Sequence, residues 1–179
     1  MNERSRHAAN LLGASALLVA GMVREAVTAS VGAGGSLGEA LIAIKDQPGR
    51  TADWLATVLQ ISQPGTAHLI RRLTEQGWVV RGSEGRARPL RLTPEGERVA
   101  AAALVARQAV VQRLVERLTG EQREQLVAIA GALLGPEARS EETLARLCRL
   151  CDRAGCPECP VYEGWQGACS GDAGANGVR

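Results

Sequence analysis

Four of the five cysteines stand at Cys148, Cys151, Cys156 and Cys159, as two Cys-x2-Cys pairs joined by four residues, and Cys169 follows. A Cys-x2-Cys turn offers two thiolates to one ion, and two such turns close a tetrahedral shell. The expected occupant is zinc or an iron–sulfur cluster. The four-residue link is shorter than in ordinary zinc ribbons, and the Cys156-x2-Cys159-Pro160 ending also suits a cluster. Neighbouring thiols could instead close a disulfide and act as a redox switch. Cys169 is a replaceable ligand, a free redox thiol or a bystander.

Arginine carries the second chemistry. From His68 to Arg91 six arginines (Arg71, Arg72, Arg81, Arg86, Arg88 and Arg91) face two acids, Glu75 and Glu84, on a chain of formal charge only +2. That total is too small for a general nucleic-acid coat, and its concentration in one segment argues for a local anion-binding surface.

The elements that must position these arginines can be read from caps and periodicity. Thr51 caps a helix whose Trp54, Leu55, Val58 and Leu59 fall on one face. Gln60-Ile61 breaks it, Ser62 caps the next, and Pro64 and Gly65 sit in a first turn, where a missing amide hydrogen costs least. In this second helix Thr66, Leu69, Ile70 and Leu73 repeat inward, while Gln63, Pro64, Ala67, His68 and Arg71 face outward with Arg72 at the flank. A polar start and a basic end suit the major groove, base edges first and phosphates one turn later. The DNA-facing set is taken as Ser62, Gln63, Pro64, Thr66, Ala67, His68, Arg71 and Arg72, although Thr66 belongs to the inward repeat. An ordinary helical hairpin with a solvated basic face would read the same up to this point. The next segment tips the balance. Gly77 stops the helix, Trp78-Val79-Val80 reads as a strand, Gly82-Ser83-Glu84-Gly85 as a turn, Pro89 to Leu92 as the returning strand, and Thr93-Pro94-Glu95 opens another helix.

Together these residues resemble the MarR family of winged helix-turn-helix regulators over roughly residues 5 to 150. The sharpest matches are Ser62-Gln63-Pro64 through Leu73, Gly77, the wing, and Leu92-Thr93-Pro94-Glu95-Gly96. The resemblance implies a mainly α fold with a small β-hairpin wing. It divides residues 1–147 into a DNA-binding part, about 36–93, and dimerisation helices, about 5–30 and 95–147, that interleave between two subunits. A homodimer would set two recognition helices about one helical turn apart on a pseudo-palindromic operator in double-stranded DNA. In the family an Asp-x-Arg in the wing sends its arginine into the minor groove. Here the wing reads Glu84-Gly85-Arg86, so Arg86 takes that position with Glu in place of Asp, and Arg88 is assigned a phosphate. His68 stands where the family often has an arginine or another polar residue.

The core must be made of Leu, Val, Ile and Ala, because the chain has no Phe, one Tyr and three Trp; Trp54 and Trp78 are read as core. Residues 1 to 23, with arginines ahead of an apolar stretch from Leu11 to Val23, could pass for a signal peptide. The apolar stripe continues through Val27, past Arg24-Glu25, as in an amphipathic helix, and the stretch reads as too short and too rich in Gly and Ala to span a bilayer. A helix is therefore expected from about Ser5 to Ser30, a break at Gly32 to Gly35, and a second helix from Leu37 to about Lys45. After the wing come helices from Glu95 to about Leu118, from Thr119 to Leu134, and from Ser140 to about Cys151. Residues 148–163 form the cysteine motif, and the Gly/Ala/Ser-rich stretch 164–179 is expected to be disordered.

The composite expectation is a cytoplasmic, homodimeric regulator that binds double-stranded DNA, carries metal or a redox centre at its C-terminal cysteines, uses no membrane, and leaves a small-molecule effector open. A reducing compartment and an odd cysteine number make structural disulfides the poorest reading. A metal-containing adaptor that turns its basic wing to an acidic protein partner, without binding DNA itself, is the alternative. Enzyme chemistry has least support, since His7 and His68 are the only histidines and no nucleophile, base or phosphate-cradling glycine loop stands at a recognisable spacing.

Overall fold

A computed structural model describes residues 2–82, 88–153, 156 and 159–163. The chain runs α1 (Glu3–Val31), α2 (Leu37–Asp46), α3 (Ala52–Leu59), α4 (Gln63–Glu75), β1 (Val79–Arg81), β2 (Leu90–Leu92), α5 (Pro94–Val115), α6 (Gly120–Leu134) and α7 (Glu141–Cys148), with a 3-10 turn at Gly135–Glu137. The mainly α fold with a two-stranded wing is thus the one expected.

Local chemistry explains where the helices begin. Thr51, Ser62, Thr93 and Ser140 each accept a hydrogen bond from the backbone N–H three residues on, and Thr119 with Gln122 forms a reciprocal capping box. Each such cap contributes on the order of 1 kcal/mol by satisfying an otherwise orphaned amide. Between α3 and α4 the chain reverses through Gln60, whose φ of 55° is left-handed, and the Ile61 N–H reaches back to the Ala56 carbonyl. Gly77, at φ 71°, ends α4 and turns the chain into β1.

Helix α2 sits at the centre, with Leu37, Ala40, Leu41, Ile42, Ala43 and Ile44 all buried. Helices α1, α3 and α5 and strand β2 pack around it. Leu55, Val58, Ile70, Leu73, Val79 and Leu90 complete one continuous core. Trp78 is buried as expected, and Trp54 packs on the same core half-buried, its Nε1 without a hydrogen-bond partner and the Arg50 guanidinium 5.6 Å from its ring. Strands β1 and β2 pair antiparallel, with Val79 opposite Leu92 and Arg81 opposite Leu90. Leu90 also exchanges two backbone hydrogen bonds of 2.9 Å with the α2–α3 loop, from the Gly49 N–H and to the Arg50 carbonyl. These bonds tie β2 to the loop that leads into the helix-turn-helix.

Several expectations need correction. Helix α5 stops at Val115 and α7 at Cys148, each about three residues short of the expected end. Helix α1 is 29 residues long, with an 18-residue window of mean hydropathy 1.5, so length and composition would let it cross a membrane and the argument that the segment is too short falls. Its C-terminal third instead buries Val23, Val27 and Val31 in the core, whereas every residue from Asn2 to Leu18 is exposed. The predicted turn at Ser83 to Gly85, Arg86, Trp165, Cys169 and the 164–179 tail lie outside the described residues.

One contact closes the base of the wing. A Cβ on Gly96 would lie 2.0 Å from the Trp78 carbonyl oxygen, so α5 and the start of β1 approach backbone to backbone. We expect Gly96→Ala to lower unfolding stability by about 1–3 kcal/mol, the usual cost of overpacking a close contact; denaturant titration followed by circular dichroism measures it, and an unchanged midpoint would contradict the packing.

Candidate nucleic-acid interface and cysteine pocket

The outward face of α4 is built from its own periodicity. Ser62, Gln63, Pro64, Ala67, His68 and Arg71 are exposed in a row, while Leu69, Ile70 and Leu73 anchor the opposite face. Thr66 corrects the sequence-based set: its residue is fully buried and its hydroxyl donates to the Ser62 carbonyl at 3.0 Å, so it fastens the first turn from inside and has no surface to offer a ligand. The inward repeat outweighs the polar side chain, because an intrahelical acceptor satisfies the hydroxyl.

Arg71 is held in place by its neighbours, with Nη2 2.9 Å from the His68 Nδ1 and Nε 3.8 Å from the Glu75 carboxylate one turn on. Such exposed pairs contribute little stability, about 0–1 kcal/mol, but they do pre-orient a guanidinium along the helix. Arg72 differs from expectation in its surroundings: half-buried at the flank, it donates to the Gly34 carbonyl at 3.4 Å and so props the α1–α2 turn against α4. Arg81, Arg88 and Arg91 are exposed on the wing side, and Arg88 stands at a left-handed φ of 38°. One exposed polar helix, flanked by a basic hairpin, thus forms a single convex surface.

A model of the MarR family matches residues 39–88, from within α2 to just before β2. Solved structures agree over the larger frame. A MarR family protein from Bacillus stearothermophilus superposes with a TM-score of 0.66 at 22% identity, over 74% of this chain and 95% of that one. The Mycobacterium tuberculosis MarR family protein Rv2887, in complex with DNA, does so with a TM-score of 0.55 at 24% identity over 68% and 96%. The same protein in complex with salicylic acid gives 0.53 at 26% over 68% and 95%. The chain has the winged helix-turn-helix fold of these MarR family structures, and its segment 39–88 is similar to that family. No curated protein sequence matches it.

The cysteines gather at the C-terminal end of α7 and just beyond it. Cys148 is buried at the C-terminus of α7, Cys151 and Cys159 are half-buried and Cys156 is exposed. With Leu144, Arg153 and Tyr162 they line one cavity of about 270 Å3. All four thiols are free. Cys151, expected at the end of the last helix, lies beyond it: α7 ends at Cys148, and a tight turn closed by the Cys151 N–H on the Cys148 carbonyl at 2.8 Å carries the chain on to Cys151. No three Cys, His, Asp or Glu side chains among the described residues converge at metal-ligand spacing. The cysteines form two facing pairs.

Within the first pair the proton is unevenly held. A hydrogen bond from Cys148 pulls the Cys151 thiol down to about 6, helped by Arg107 and Arg153 and opposed by burial. The same hydrogen bond, with burial, pushes Cys148 far up. Burial, followed by its bond to Cys159, raises Cys156. Cys151 is thus the nucleophilic thiolate near neutral pH.

Sequence reasoning missed how this motif is attached. Helix α7, grouped by sequence with the dimerisation helices, packs on α3. Arg149 Nε lies 3.2 Å from Glu39 and Arg153 Nη1 2.9 Å from Asp46, both on α2, while Arg50 of the α2–α3 loop pairs with Glu141 of α7. The pairs span 110, 107 and 91 residues, so no local spacing could reveal them.

In protein freed of metal, alkylation of Cys151 by iodoacetamide is expected to rise with pH through about 6 and to level off above pH 7. Cys148→Ala, which removes the hydrogen-bond donor, should move that midpoint upward. Mass spectrometry of the labelled peptide reads both, and a wild-type midpoint near an ordinary thiol's would contradict the pairing.

Proposed function

We propose that the protein is a homodimeric transcription regulator that reads a pseudo-palindromic site in double-stranded DNA with α4 and the wing. The observation that carries this reading is the exposed row Gln63, Pro64, Ala67, His68 and Arg71 on a helix whose other face is fully packed. Gln63 and His68 serve base edges, Ser62 and Arg71 the backbone at either end, and Arg72 braces the helix from its flank. Arg86 takes the minor groove and Arg88 a phosphate. The Mycobacterium tuberculosis relative solved with DNA supports the partner. The protein works where its operator is, in the cytoplasm.

Unsatisfied apolar surface supports the dimer. Leu11, Leu12, Leu17 and Leu18 of α1 are 53–78% exposed, Val105 of α5 is 69% exposed, and α6 buries no residue while presenting Leu126, Val127, Ile129 and Leu133. Faces of that extent call for a partner. A second copy of the same helices covers them symmetrically and sets the two α4 helices on one side of a duplex. Beside them, α1, α5 and the start of α6 border a groove of about 420 Å3 lined by Leu18, Val19, Leu114, Leu118 and Leu126. Its size and apolar lining suit a small organic effector, the kind of ligand found with the salicylic acid-bound relative. A purely protein-binding adaptor has no observation of its own here.

Two measurements test the reading. Arg86→Ala should weaken duplex binding and lower the slope of log affinity against log salt by about one; fluorescence anisotropy across a salt series reads it, and an unchanged slope removes Arg86 from the interface. Leu17→Glu combined with Leu133→Glu should convert the dimer to a monomer in sedimentation equilibrium and abolish duplex binding with it. A dimer that survives both charges must pair through another surface.

A further inference from the structure

The DNA reading leaves unexplained why a cavity lined by four cysteines is fastened by three ion pairs to α2 and the α2–α3 loop. We propose that Cys148, Cys151, Cys156 and Cys159 bind one thiophilic divalent ion of the zinc class, and that the bound ion sets the posture of the helix-turn-helix through the α7 clamp. The metal site stands on its own; only its coupling to DNA rests on the function proposed above.

The donor set selects the class. Among the described residues four sulfurs and no carboxylate line the cavity, which favours soft, tetrahedral ions over magnesium or calcium. All four sulfurs line this one cavity, as a single ion with Zn–S bonds of about 2.3 Å requires. A four-iron cubane gives each cysteine its own iron and spreads the sulfurs wider. On loading near neutral pH, three thiols, the Cys151 thiolate and one dication become a tetrathiolate complex of charge −2, and three protons pass to solvent. Arg153 lines the cavity and offsets that charge.

The coupling follows from the same geometry. The two cysteine pairs face each other across the cavity without converging, so an ion can bind both only by drawing them together. Cys148 and Cys151 cannot shift without the segment that carries Arg149 and Arg153, which grip Glu39 and Asp46 on α2. Leu144 and Ala145, buried on α7, transmit the same shift to α3. Each ion pair is partly exposed and singly weak, about 0.2–1 kcal/mol, but the three act on one rigid body and fix its direction of pull. Helix α2 is the centre of the core, so a pull on it reaches α3 and α4 together.

Full-length protein, prepared without air and stripped of metal, is titrated with Co2+. One equivalent should bring up the intense near-ultraviolet thiolate charge-transfer band and the strong visible bands of tetrahedral cobalt, and zinc should bleach both. Cys156→Ser with Cys159→Ser, substitutions at the exposed end of the cavity, should abolish the bands while the helical circular dichroism signal stays. A pale octahedral spectrum, or bands that survive the double substitution, would overturn the site; a brown iron- and sulfide-containing protein as first purified would overturn the zinc class. Duplexes enriched from a random pool by the zinc-loaded protein then report coupling. Loaded and stripped wild type should differ in Kd by at least about fivefold, the lower bound of ordinary allosteric coupling. Glu39→Gln with Asp46→Asn should keep the cobalt bands and lose that difference. Equal affinities in wild type, or a difference that persists in the variant, overturn the clamp. Failure of both forms to enrich any duplex overturns the DNA reading and the coupling with it, while the cobalt result stands as support for the site.

Discussion

Helix α2 carries apolar residues on almost every side, and its seven buried positions leave it no stable place in contact with water. Hydrophobic burial is non-directional, so this helix could be covered in many ways. What makes one arrangement unique is that each covering element brings its own constraint. Helix α1 lays Val23, Val27 and Val31 along it, and Gly38 is small enough to let Val27 touch the α2 backbone. The α2–α3 loop hydrogen-bonds β2, which fixes the wing. Helix α3 covers the far end and delivers the chain, through the left-handed Gln60, into α4. The posture of the recognition helix is thus a consequence of how α2 is buried.

That dependence gives the C-terminal clamp its leverage. A segment seeking to influence α4 directly would have to occupy its exposed row. Glu39 and Asp46 instead place two handles on the polar edge of α2, one turn from its start and at its end, and Arg50 places a third on the loop beyond. The cysteine cavity lies at the other end of these handles, at a distance from the DNA-facing row. Regulation and recognition can then share one core without sharing a surface.

The chain also divides into a part that satisfies itself and a part that does not. Around α2, buried polar atoms have partners almost throughout, with Trp54 Nε1 as the exception among the described residues. The first half of α1 and all of α6 are helical, well capped and apolar, yet they bury almost nothing. Propensity and caps can start such helices, but most helical stability in proteins comes from packing an amphipathic face. The proposed dimer would supply the packing that one chain leaves them without.

Much of this was legible in the residues themselves. Caps at Thr51, Ser62, Thr93, Thr119 and Ser140 announced the helix starts, because an N-cap is a local bargain between one side chain and an amide three residues away. The inward repeat of Leu69, Ile70 and Leu73 placed Gln63 and His68 outside, because a helix has a fixed period. Spacing paired the cysteines. Tertiary structure alone decided that Arg72 reaches Gly34 and that α7 serves α2 and α3 instead of the dimer helices. Each of those outcomes depends on groups far apart along the chain meeting in a shared core, and the residues at either end carry no mark of the partner that folding will supply.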